Sequence, residues 1–198
     1  MKLSITLFLV FFIVPQKRII NTHDFDYEFY ISSEKIKKPK VEKTYFWYKS
    51  GEIHQSTADI GGAVLVNTYI KHYKSKQLAE KGIFDKGLKD GVWKNWYKNG
   101  NLSKIEKWRK GFRHGDFITY TKNGKKKVEG KYRNHKKHGI WINYVSHDTL
   151  VYKKGIIVPK KQKDTIKRAP FLKRIFKRKK KKTKKEDSKK KKPNAKKT

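Results

Sequence analysis

The stretch KGLKDGVWKNWYKNGNL at positions 86–102 decides the fold. Asn99-Gly100 is a strong short-range hairpin signal and predicts a type I′ turn, which needs positive φ at both central residues. The flanks, VWKNWY before it and NLSKIEKWR after it, are aromatic and β-branched residues punctuated by charge, as in strands. Extended in both directions, the stretch belongs to a unit of about 24 residues that occurs three times without a gap. The copies are YKSKQLAEKGIFDKGLKDGVWKNW, YKNGNLSKIEKWRKGFRHGDFITY and TKNGKKKVEGKYRNHKKHGIWINY. Gly91, Gly115 and Gly139 share one column, and Trp93, Phe117 and Trp141 another. Trp96, Tyr120 and Tyr144 form a third, and Phe84, Trp108 and Tyr132 a fourth. Gly100 and Gly124 keep the same register, as do Gly87 and Gly111. A second, looser turn is expected at KGLKDG, KGFRHG and NHKKHG.

A degenerate copy lies upstream in YFWYKSGEIHQS, which aligns with WKNWYKNGNLSK. A truncated one lies downstream in INYVSHDTLVYKKGIIV, with Asp148 in the glycine slot. Terminal units of a stack face water on one side, so degenerate ends fit a repeat array. No stretch shows helical spacing of apolar residues. The expectation is an all-β protein of stacked antiparallel β-hairpins over residues 44–158, forming an elongated open sheet. Aromatic columns would hold successive hairpins together, with Trp93, Trp108 and Trp141 as the main rings.

The unit G-x-x-x-G-x-W/F-x-x-Y/W-x-x-N-G resembles the bacterial variant of the MORN (membrane occupation and recognition nexus) repeat. More closely it is similar to YwqK-family antitoxins. KGLKDGVWKNWYKNGNL carries the pattern best, KGFRHGDFITYTKNGKK at 110–126 nearly as well, and NHKKHGIWINYVSHDTL at 134–150 loses two glycines. The resemblance implies consecutive hairpins in a twisted open sheet. It implies scaffold, membrane-associated or antitoxin roles only weakly, because repeat folds host many functions.

The net charge is +36. Residues 159–198 hold 21 Lys/Arg against 3 Asp/Glu, and residues 44–158 hold 24 against 9. The last forty residues read as a disordered polybasic tail. Within it Phe171, Leu172, Ile175 and Phe176 share one helical face, and Lys173, Arg174, Lys177 and Arg178 surround the other. That pattern is a membrane- and anion-binding signature. The expected partners are an anionic lipid or envelope polymer, with a partner protein or nucleic acid as alternatives. No small-molecule substrate is expected.

Lys2 and the apolar run Leu3–Val14 read as a signal peptide or membrane-targeting segment over residues 1–19, with residues 20–43 as a linker. Export to the periplasm or envelope, or membrane association, follows; a cytoplasmic location is the alternative. Cysteine is absent, which removes disulfides, thiolate metal sites and a cysteine nucleophile. His114, His135 and His138 invite a metal reading, but no carboxylate completes a site, and they read instead as solvated turn residues. No cofactor is expected. No G-x-S-x-G, H-E-x-x-H or P-loop occurs, so no catalytic residue is assigned and the chain reads as non-enzymatic. The function expected is a binding or scaffold protein at an anionic surface. The alternatives are a YwqK-type antitoxin-like protein that neutralises a toxin and a basic nucleic-acid-binding protein.

Overall fold

The computed structural model describes residues 14–159, and the tail residues Phe171–Arg178 lie outside them. The described chain is all-β, with thirteen strands in one open antiparallel sheet and no helix. The strands are β1 (Gln16–Asn21), β2 (Phe25–Ser32), β3 (Tyr45–Lys49), β4 (Glu52–Ser56) and β5 (Ala63–Tyr73). The repeat proper begins with β6 (Leu78–Asp85), β7 (Leu88–Trp96), β8 (Leu102–Arg109) and β9 (Phe112–Tyr120). It ends with β10 (Lys126–Arg133), β11 (Lys136–Asn143), β12 (Asp148–Lys153) and β13 (Ile156–Val158). Eleven strands follow one path, β1-β2-β5 and then β6 to β13 in chain order, while β3 and β4 branch off the side of β5.

The two turns of each unit exchange the identities expected of them. Gly100 and Gly124 do have positive φ, at 84° and 77°, but Asn99 and Asn123 do not. The Gly100 N–H donates to the Tyr97 carbonyl at 2.9 Å, and the Tyr97 N–H donates to the Asn101 carbonyl at 2.9 Å. Asn99 is therefore the third residue of an ordinary β-turn, and Gly100 is the left-handed residue of the bulge that follows. The type I′ turns sit at the other end of the hairpins. Lys86-Gly87, Lys110-Gly111 and Asn134-His135 have φ of 48° and 76°, 48° and 83°, and 50° and 63°. Ser50-Gly51 belongs to this second class, so the upstream copy pairs Lys49 with Glu52 around a two-residue loop. It aligns with the Lys-Gly turns rather than with Asn99-Gly100.

Residues 20–43 are not simply a linker. FDYEFYIS alternates aromatic or aliphatic with polar residues, pairs with β1 on one side and β5 on the other, and buries Phe29 and Ile31. Strand β1 begins at Gln16, within the stretch read as a targeting segment, whose first thirteen residues lie outside the described ones. The upstream copy does not cap the array either. Its hairpin β3–β4 pairs with β5 through Trp47↔Val64 and Tyr48↔Ala63, and Phe46 and Tyr48 pack against Phe84 and Phe29. The core of Phe29, Ile31, Leu65, Tyr69, Phe84 and Trp93 lies here, beside the branched hairpin. A single-layer sheet needs such a cover to bury aromatic area from both sides.

Candidate anion-binding surface

The repeat places its side chains on two distinct faces. Directly opposed residues share a face, so the row Tyr69, Gly82, Glu106, Phe117 and Gly130 runs across one side, with Trp93 and Trp141 completing it. Trp93 and Trp141 are buried and Trp108 half-buried. Tyr69, Phe84 and Trp93 form a three-ring cluster with centroids 4.9–5.6 Å apart. Forty-eight residues on, Phe117, Tyr132 and Trp141 repeat it at 5.0–5.5 Å. In both clusters the indole lies flat over a glycine, Gly82 or Gly130, where an added Cβ would collide with the ring.

The middle unit has no such cluster. Glu106 occupies the glycine slot, is buried, and ion-pairs with Lys104 at 2.8 Å. Trp108 instead packs edge-on with His135 at 5.5 Å, and its ring N–H is buried without a hydrogen-bond partner among the described residues. The aromatic column expected to run unbroken is thus two clusters separated by a carboxylate. Gly91, Gly115 and Gly139 are not turn residues. They lie inside β7, β9 and β11 with φ of 66°, 111° and 70°. There they mark bulges that hold the following tryptophan or phenylalanine over the sheet.

A cation recurs beside these rings at 24-residue intervals. Lys89 lies 3.8 Å from the Trp93 ring centroid, Arg113 4.5 Å from Tyr132, and Lys137 4.5 Å from Trp141. Their backbones are pinned by the next hairpin tip: the Gly111, His135 and Gly155 N–H groups donate to the Lys89, Arg113 and Lys137 carbonyls at 2.9–3.0 Å. Further exposed charge recurs on the two rims. Lys74, Lys98 and Lys122 recur at 24-residue intervals in one set of turns, and Lys86 and Lys110 in the other. Tyrosine hydroxyls tie the first rim together, Tyr73 to the Trp96 carbonyl at 2.9 Å and Tyr97 to that of Tyr120 at 2.7 Å. These tyrosines share a repeat column that the sequence reading passed over.

The opposite face mixes aliphatic and cationic side chains. Ile83, Val92 and Ile140 are exposed there beside Lys81 and Lys94, with Lys107 and Lys131 both paired to Asp116. The Lys107 ammonium and the second lysine hold the Asp116 carboxyl below its ordinary range. Asp26, bonded by Lys74 and Lys76 at 2.7 Å, is held at about 2.

Of the three histidines expected in turns, only His135 sits in one, with positive φ. His114 and His138 lie in strands, and His135 is half-buried against Trp108 and Phe112. Among the described residues no three His, Asp or Glu side chains come together as metal ligands, and no helix is long and apolar enough to cross a membrane. Comparison with protein-family models and with curated proteins finds no match to this chain.

Proposed function

We propose that the chain is a non-enzymatic, MORN-type scaffold protein that lies against an acidic membrane or envelope surface. The observation that carries this reading is the rim of Lys74, Lys98 and Lys122 at successive turns of an open sheet. Equivalent turns are two strands apart, so these cations recur about every 10 Å. A surface of fixed anions can meet such a row at many points, and each lysine near an acidic leaflet contributes about 1 kcal/mol. The exposed Ile83, Val92 and Ile140 of the opposite face offer apolar contact of the kind a lipid interface accepts. The basic tail, with Phe171, Leu172, Ile175 and Phe176 among its cations, supplies a second attachment.

The test is binding to phosphatidylglycerol vesicles by the parent and by the triple variant Lys98→Gln, Lys122→Gln, Lys125→Gln, the last an exposed neighbour of Lys122 in the same loop. Three lysines at about 1 kcal/mol each predict roughly hundredfold weaker binding with an unchanged melting temperature. Equal binding by the two proteins overturns the rim as an attachment site.

A further inference from the structure

The branched hairpin leaves one side of β4 unpaired. Strand β4, Glu52–Ser56, pairs with β3 alone, and its backbone makes no other hydrogen bond among the described residues. That free side borders a cleft of about 580 Å³ between β4 and residues of β1, β2, β5, β6 and β7. Gly51, Glu52, Ile53, His54 and Gln55 all line it. Successive side chains of a strand point to opposite faces, so five residues in a row share one cleft along the strand's edge rather than its face.

Edge strands are shielded from further pairing by lysine, proline, a bulge or extreme shortness. Strand β4 has none of these. Its sequence EIHQS contains no lysine or proline, and its pairing with β3 runs from Tyr45↔Ser56 to Lys49↔Glu52 without a shift. Five residues at about 3.3 Å each give an edge roughly 17 Å long. The cleft beside it is electrically balanced. Lys71 and Lys89 line it with Glu52 and Glu80, and Lys89 already pairs with Glu80 at 3.1 Å. In a chain of net charge +36, a balanced recess favours an uncharged occupant over the polyanions that the rims attract. Tyr69, Phe84 and Trp93 are buried, so the apolar surface open to that occupant belongs to the half-buried Ile20, Tyr27 and Ile53. What fits is a row of backbone donors and acceptors with apolar side chains at alternate positions. An extended peptide supplies both.

We propose that the free edge of β4 takes up an extended, uncharged peptide segment of a partner protein as an added strand. Backbone hydrogen bonds to β4 hold the segment, and its alternate apolar side chains turn toward Ile20, Tyr27 and Ile53. The site uses no rim lysine and does not depend on membrane attachment.

The probe is the blocked pentapeptide acetyl-Thr-Val-Thr-Val-Thr-amide, titrated into the full chain. Two isomers accompany it, one N-methylated on both valines and the other on the two outer threonines. The N–H groups of alternate residues point to opposite edges of a strand, so each isomer blocks one edge only. One isomer should bind like the parent peptide and the other about tenfold more weakly, since it loses the backbone bonds to β4. Gln55→Lys places an inward-pointing charge at this edge and should weaken the parent peptide about tenfold. The same change on the opposite face, Ile140→Lys, should leave binding unaltered. Hydrogen exchange reports the location: the amides of Ile53, His54 and Gln55 should exchange freely in the chain alone and slow when peptide is added. The proposal is overturned if both isomers bind alike, or if millimolar peptide leaves the β4 amides unchanged. It is also overturned if those amides are protected before peptide is added, because the edge is then occupied by the chain itself or by a second copy.

Discussion

His135 holds a left-handed backbone, φ 63°, at a slot where the two preceding units place Gly87 and Gly111. A side chain there is unfavourable unless its surroundings compensate. The ring supplies that compensation. It packs edge-on against Trp108 and Phe112 at 5.5 and 5.3 Å, and its Nδ1 accepts from the Arg113 N–H and Nε–H at 3.4 and 3.3 Å. Two donors on Nδ1 require a neutral ring with its proton on Nε2. Burial first, and then the Arg113 charge, hold this histidine below its ordinary range. A base whose folded pKa is depressed binds fewer protons folded than unfolded, so its stabilisation is complete above about 6.5 and is lost as pH falls below it. The carboxylates with lowered pKa, Asp26, Asp116 and Glu129, lose theirs only at more acidic pH. Scanning calorimetry should therefore show the melting temperature declining from pH 7 to pH 5, and His135→Gly should flatten that segment. Equal slopes for the two proteins contradict the assignment.

The aromatic clusters are the strongest packing in the repeat, and they depend on what lies beneath the indole. Gly82→Ala or Gly130→Ala puts a methyl group where Trp93 or Trp141 rests, and overpacking of this kind costs roughly 1–3 kcal/mol. Denaturant unfolding should show that loss at both positions and almost none for Ser75→Ala at an exposed turn. Three equal, small changes would mean that the rings are not seated as described. The period, the strand content and the open hairpin architecture were all legible, because the columns at Trp93, Trp108 and their equivalents recur at a fixed spacing. The positive φ of Gly100 and Gly124 was legible too. Which turn is type I′ was not: both loops contain glycine, and their lengths follow from the cross-strand register of Tyr97 with Asn101 and of Asp85 with Leu88. The strand at Phe25–Ser32 did carry a readable signal in its period-two alternation of Phe25, Tyr27, Phe29 and Ile31. The rim lysines repeat visibly in the sequence. The cleft does not, because it depends on β5 being long enough to pair with β2, β3 and β6, with a left-handed Asn67 midway.

At the scale of the described body, the main path of strands has two faces and ends in two edges, β1 and β13, while the branched β4 presents a third. The β1 edge carries Lys17 and Arg18, and the other edge, β13, is only three residues long; both features discourage pairing with further strands. What remains available is a broad face, two basic rims and the basic tail. Charge alone would draw such a molecule to RNA as readily as to lipid, with affinity falling steeply in salt. A membrane adds an apolar requirement that RNA lacks. Replacing Phe171, Leu172, Ile175 and Phe176 by serine leaves every charge in place, so it separates the two. Co-sedimentation of parent and serine variant with acidic vesicles, over a salt series and beside an RNA competitor, is the most direct test. The account predicts weaker vesicle binding by the serine variant at physiological salt and retention of the parent on vesicles when RNA is added. Equal vesicle binding by both proteins, with RNA stripping each of them from the lipid, would contradict it.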